Sequence, residues 1–270
     1  MTRARIAVAT VLTVLCAIVV VLFANRDDNP RESGTAAPRP TRTAPGGPSS
    51  AGGFDDPTTD RLGRKIIIPR NAAGQPQPQR DPGPRVECGG GAVDSPQGMQ
   101  IQRSFEMPIL TSATDGPTRI EGTNLLGYRR SPQGAAIAGF NFLSRTYAAG
   151  EPSRAAIAAL TILTEDEQRD LAQASAPVEA DPAGDRFRRL FLAPEAFRIL
   201  TCDADLVAVE WALRAETTPA TTTAAGQWVG LRLNLLWRHG DWRVQLAREL
   251  ASTGAGQRDS SLEGWTKWSW

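Results

Sequence analysis

The stretch 231–246, LRLNLLWRHGDWRVQL, decides how this chain is read. On its first arm Leu231, Leu233, Leu235 and Trp237 share one face of a strand, opposite Arg232 and Asn234; on its second, Trp242, Val244 and Leu246 alternate with Arg243 and Gln245. Between the arms, RHGD supplies Gly240 and Asp241, the residue types that a tight hairpin needs for unusual backbone angles. His239 is the only histidine in the chain and lies two positions from Asp241. The pair reads either as catalytic, in an aromatic pocket, or as the tip of a turn. Turn chemistry favours the tip, with His239 projecting into solvent.

The period-2 pattern extends upstream. In LVAVEWALRA, Val207, Val209, Trp211 and Leu213 point one way; Leu206, Ala208, Glu210 and Ala212 point the other. Glu210 is expected to be solvated or paired with an arginine. Before Cys202 the pattern is helical. Ser131 caps and Pro132 opens a helix on which Ala135, Ala138, Gly139, Phe142 and Thr146 recur, small residues that permit close packing. Pro152 opens a second helix through Ile157 and Leu160, and Thr164 with Glu167 forms a capping box for a third, running toward Ser175. The acids of TEDEQRD then form a solvated helix start favoured by the dipole. DRFRRLFLAPEAFRIL looks helical, with a break at Pro194. The prediction is an α+β domain over 86–252, helices packed on an antiparallel sheet that needs their cover, with a Trp-rich tail at 253–270.

The first third differs. Residues 6–24, IAVATVLTVLCAIVVVLFA, are apolar and uncharged. As a helix they span roughly the ~30 Å of a bilayer core. Arg3 and Arg5 precede them in the cytoplasmic segment 1–5, so the run predicts a single-pass transmembrane helix in the cell membrane with everything downstream extracytoplasmic. Residues 25–85 hold 11 of the 20 prolines and read as a disordered Pro/Gly/Ser-rich linker, interrupted by Ile66, Ile67 and Ile68, which suit a docking strand. An oxidising compartment permits a bridge between Cys88 and Cys202, although spacing alone does not show that they meet.

Helices ahead of a curved sheet that ends in LLWRHGDWRVQL resemble the nuclear-transport-factor-two-like cone fold. More closely, residues 107–145, MPILTSATDGPTRIEGTNLLGYRRSPQGAAIAGFNFLSR, resemble actinobacterial membrane proteins of conjugative elements, with counterparts at Pro108, Gly116-Pro117, Tyr128, Pro132 and Gly134-Ala135. The resemblance implies a VirB-type scaffold or assembly part of a type IV secretion-like transfer apparatus. Its partners would be the membrane and other proteins of the complex, with a homo-oligomer as a further candidate. Mce-associated proteins share the anchor-plus-cone plan, which keeps a second expectation open: an accessory of lipid or small-molecule transport with an apolar cavity.

Enzyme chemistry finds no constellation. Gly-x-Ser-x-Gly is absent, CGGGAVDSPQG lacks the Gly-Lys-Ser/Thr of a phosphate loop, and no Cys/His metal spacing occurs. Catalytic, cofactor-binding and metal-binding residues are therefore all expected to be none. Net charge is +1, with only Lys65 and Lys267 as lysines, and this speaks against direct nucleic-acid binding. The expected partner surface is Tyr128, Arg129 and Arg130 together with Trp265, Trp268 and Trp270. The three tryptophans present an epitope, dip into a membrane interface, or pack back onto the domain, and the rarity of exposed aromatic patches favours the last.

Overall fold

The computed structural model describes residues 52–81, 93–166, 188–214, 228–245 and 261–270, together with 83, 88, 168, 169, 185, 258 and 259. The opening stretch folds as read. β9 (Trp228–Arg238) and β10 (Asp241–Gln245) pair antiparallel, and β8 (Leu206–Arg214) joins β9 over nine residue pairs. Val207, Val209, Trp211, Leu213, Leu231, Leu233, Leu235, Trp242 and Val244 all enter one core. β7 (Ala196–Cys202) adds to β8, and the short β11 (Arg258–Asp259) and β12 (Thr266–Lys267) pair with β9 and β7. The resulting six-stranded sheet runs β10-β9-β8-β7-β12 with β11 beside β9.

A second sheet is built from the first half of the described chain. β1 (Phe54–Thr59), β2 (Lys65–Pro69), β3 (Gln100–Ser104) and β4 (Met107–Thr111) lie in that order, with β2 and β3 parallel and the other pairs antiparallel. β5 (Arg119–Glu121) and β6 (Asn124–Leu126) form a separate hairpin.

Helix α1 (Pro132–Tyr147) occupies the space between the two sheets. It touches β4 on one side and β7, β8, β9 and β10 on the other, and every one of its sixteen residues is buried. Its start is the predicted one: the Ser131 hydroxyl accepts from Gly134 N at 3.0 Å and Pro132 opens the first turn. Gly139 allows the close approach, because a Cβ there would lie 2.6 Å from Cη2 of Trp211. Trp211 is fully buried and donates its indole N–H to Ala136 O at 3.0 Å. An aromatic ring buries ~150–250 Å², on the order of 4–6 kcal/mol of transfer free energy. α2 (Gly150–Leu160) follows and buries Ala156, Ile157 and Leu160.

A helix buried on all sides must satisfy its polar residues internally. Asn141 meets the outer edge of β4, accepting from Leu110 N at 2.7 Å and donating to Leu110 O at 2.8 Å, so one amide replaces a neighbouring strand. Ser144 donates to Pro108 O at 2.6 Å. Arg145 donates to Thr123 O, Ser104 Oγ and Ala73 O, and lies 5.0 Å from the Phe105 ring centroid. Burial pulls its pKa down to about 10, which leaves the guanidinium charged at neutral pH.

Several expectations are corrected by this arrangement. The helices are not an outer layer on a single sheet; the principal helix is the middle of a sheet–helix–sheet stack, and strands outnumber helices among the described residues. Residues 70–81 and the strands at 54–59 and 65–69 shorten the linker expected over 25–85, since Ile66 belongs to the core and Gln75 N bonds Gln102 Oε1 at 2.9 Å. Residues 196–200, read as helical, form the start of β7, where Phe197 packs inward opposite Trp211. The third helix retains Gln168 N bonded to Thr164 O at 2.9 Å; its course toward Ser175 lies outside the described residues.

The membrane anchor, and with it the single-pass cell-membrane localisation, is not supported by the structure. No described helix is long and apolar enough to cross a bilayer. α1, at 16 residues, falls short of the ~20 required and carries Gln133, Asn141 and Arg145 between two sheets. The run 6–24 lies outside the described residues.

Candidate functional site

The hairpin tip answers the first question about His239. His239 and Gly240 both take positive φ, 53° and 75°, as the central pair of a type I′ turn requires, and the imidazole is exposed. Asp241, expected in the turn, is instead the first residue of β10 and fully buried. Its carboxylate accepts from Gly127 N at 2.6 Å, Trp242 N at 3.0 Å and Tyr128 N at 3.3 Å. Trp242 adds an indole N–H to Arg129 O at 2.9 Å. The hairpin end thus clamps residues 127–129 to the start of α1.

That clamp removes Tyr128 from the expected partner surface. Tyr128 is buried and its hydroxyl accepts from Asn141 Nδ2 at 2.9 Å. Burial raises the phenol pKa above its ordinary value, with the Asp241 charge adding to the rise. Arg129 and Arg130 are half-buried and hold neighbouring loops: Arg129 donates to Gly83 O, and Arg130 donates to Ala204 O and pairs with Asp205 while lying over Trp237. Cys88 and Cys202 do meet, as a disulfide with Cα atoms 5.2 Å apart that ties the 88 segment to the end of β7.

The three C-terminal tryptophans divide. Trp268 is buried, its ring tilted against Phe197 with centroids 4.3 Å apart, and Trp265 is buried in a small second cluster with Ala196 and Ala212. They flank β12 three positions apart, so strand alternation places them on opposite sides of the sheet edge. For these two the packing alternative holds, and they leave the expected partner surface. Trp270 remains exposed at 46 %, 6.2 Å from Trp268 and 5.5 Å from the Arg64 guanidinium.

Arg64 connects that rim to a cleft. It pairs with Asp60 at 2.7 Å and donates to Ala193 O at 2.9 Å; Asp60 and Ala193 both line a cleft of about 140 Å³. The cleft lies between the β1–β2 turn, β3 and residues 188–193, with Ile66, Ile101 and Phe191 in its floor. Arg61, Arg103, Arg188 and Arg189 line it against Asp60 and Glu106. No sequence signal announces it, because its residues come from four separated segments.

On the opposite sheet face, Glu210 is fully buried and bound by Arg198 Nε at 2.5 Å and Arg232 Nε at 2.8 Å. Pairing with arginine was expected, and solvation is corrected: the carboxylate lies across Gly230, which has no Cβ to hold it off the sheet. Asp115 is likewise committed, accepting from Ser131 Oγ at 2.8 Å and Thr114 Oγ1 at 2.7 Å.

A family model described as "Domain of unknown function (DUF8175)" matches residues 68–267, from within β2 to the end of β12. No curated protein and no solved structure matches the chain.

Proposed function

We propose that this chain, which belongs to the DUF8175 family, is a non-enzymatic scaffold or assembly domain, and that it meets its partners over the Trp270 rim and the adjoining cleft. The observation that supports this reading is the close packing between the sheets, where among the described residues Phe140, Leu143, Phe197, Trp211 and Leu235 are buried against one another in a single apolar core. The cleft beside Trp270, at about 140 Å³, is smaller than the ~300–1,000 Å³ typical of small-molecule pockets. The buried carboxylates among the described residues are committed to the fold: Asp241 to three backbone N–H groups, Asp115 to two hydroxyls and Glu210 to two guanidiniums.

The resemblance of residues 107–145 to proteins of conjugative elements points the scaffold toward a transfer or secretion apparatus. Cross-linking the tagged protein in its native cells, followed by mass spectrometry, tests this. Transfer-channel proteins or a secretion ATPase should be captured, and less of them by W270A. A co-purified lipid with no channel protein would overturn the reading in favour of a transport accessory.

A further inference from the structure

We propose, resting on the scaffold reading, that the cleft between the β1–β2 turn and residues 188–193 docks an extended acidic segment of a partner protein. One apolar side chain of that segment sits on Ile66, Ile101 and Phe191, and its carboxylates meet Arg103 and Arg189. Charge is the first support. Four arginines line the cleft against two acids; Arg188 is paired with Asp185 and Arg61 donates to Leu190 O, so Arg103 and Arg189 are the two assigned to the ligand. One of those acids, Asp60, is already spent: it accepts from Leu62 N at 2.8 Å and Arg64 N at 3.0 Å and pairs with the Arg64 guanidinium. The other, Glu106, is 72 % exposed and lies 3.6 Å from Arg103 at the rim, a contact that solvent screens. Arginine forks match carboxylates in geometry as well as charge.

Size and composition choose among acidic ligands. A cleft of this volume takes a side chain or two, not a helix, so the occupant is extended. Nucleic acid is disfavoured because its affinity comes from many phosphate contacts, whereas the cations of this chain are balanced to a net charge of +1. The apolar floor rewards a peptide that interleaves carboxylates with a hydrophobic side chain. Walls of the cleft are rigidly held: Arg61 Nη2 donates to Leu190 O at 3.0 Å, and Arg64 fixes Ala193 and Pro194 through their carbonyls. A preformed site loses little on ordering.

The test uses the full chain and two fluorescent octapeptides, one alternating Glu and Leu, the other Gln and Leu. The Glu-Leu peptide should bind saturably, weaken with added salt, and lose about tenfold or more in affinity to the R103Q/R189Q variant, as expected for losing charge-assisted contacts. Both arginines are at the surface, and an unchanged thermal melt would show the variant folded; R243Q, on the other sheet, serves as the control that should not respond. Equal affinity for the two peptides, no loss in the double variant, or displacement by inorganic phosphate or preferred binding of a single-stranded oligonucleotide would each overturn the proposal. Repeating the cellular cross-linking with R103Q/R189Q separates the two readings. Channel proteins captured without peptide binding would sink the cleft alone; peptide binding without any captured partner would sink the scaffold.

Discussion

Replacing Asn141 by leucine removes an amide that closes a sheet edge from inside the core. Leucine keeps the branched heavy-atom shape with bulkier methyl ends, so no cavity opens and the lost hydrogen bonds dominate. Three partners are orphaned at once: Leu110 N, bonded at 2.7 Å, Leu110 O at 2.8 Å and the Tyr128 hydroxyl at 2.9 Å. A buried polar group stripped of its partner costs about 1–3 kcal/mol; at roughly 1–2 each, N141L should lose about 3–6 kcal/mol. That is a large share of the ~5–15 kcal/mol that holds a typical domain together. It corresponds to a fall in Tm of roughly 6–24 °C for a domain of this size. Guanidinium unfolding followed by tryptophan fluorescence measures it. Y128F removes only one of the three bonds and should cost about 1 kcal/mol. Because the two residues share that bond, the double variant should be less destabilised than the sum by about 1 kcal/mol. An N141L midpoint within about 1 kcal/mol of the parent would refute the edge-closing role.

Tyr128 also makes a pH prediction. Its folded-state pKa is raised by burial, so the neutral phenol is favoured by folding; the contribution is intact below the unfolded value of about 10 and is lost as pH rises above it. Urea unfolding across alkaline pH should show stability falling less steeply in Y128F than in the parent, and parallel curves would contradict the burial. W268A should cost about 3–5 kcal/mol, as a buried ring packed against Phe197, whereas W270A should cost under about 1 kcal/mol; similar losses in the two would show that the tail does not divide as described. G139A pushes a methyl toward Trp211 and Leu235. The gain in helix propensity, about 1 kcal/mol, is outweighed by overpacking of roughly 1–3 kcal/mol, so its Tm should fall; a rise would mean that the core has room, and would reopen the ligand-carrier reading.

Sequence alone determined the local and alternating features of this protein. The hairpin around His239 and Gly240, the inward faces of β8, β9 and β10, and the first turn of α1 at Ser131-Pro132 all follow from periodicities and caps that operate within a few residues. The tertiary structure decided the layering. MPILT carries no alternation because β4 is buried on both faces, and α1 has no polar face because sheets lie on both sides of it. β7 reads as a helix in RRLFLAPEAFRIL, yet its pairing with β8 makes it a strand, tertiary contact overriding propensity. The same holds for the functional groups. Asp241 looks like an ordinary turn residue until Gly127 and Tyr128, more than a hundred positions away, present their N–H groups to it. Trp265, Trp268 and Trp270 are alike in sequence, and only the edge of β7 separates two packing residues from one exposed ring. The cleft is the extreme case: Arg103, Arg189 and Phe191 acquire a common chemistry only when β3 and the segment before β7 are brought side by side.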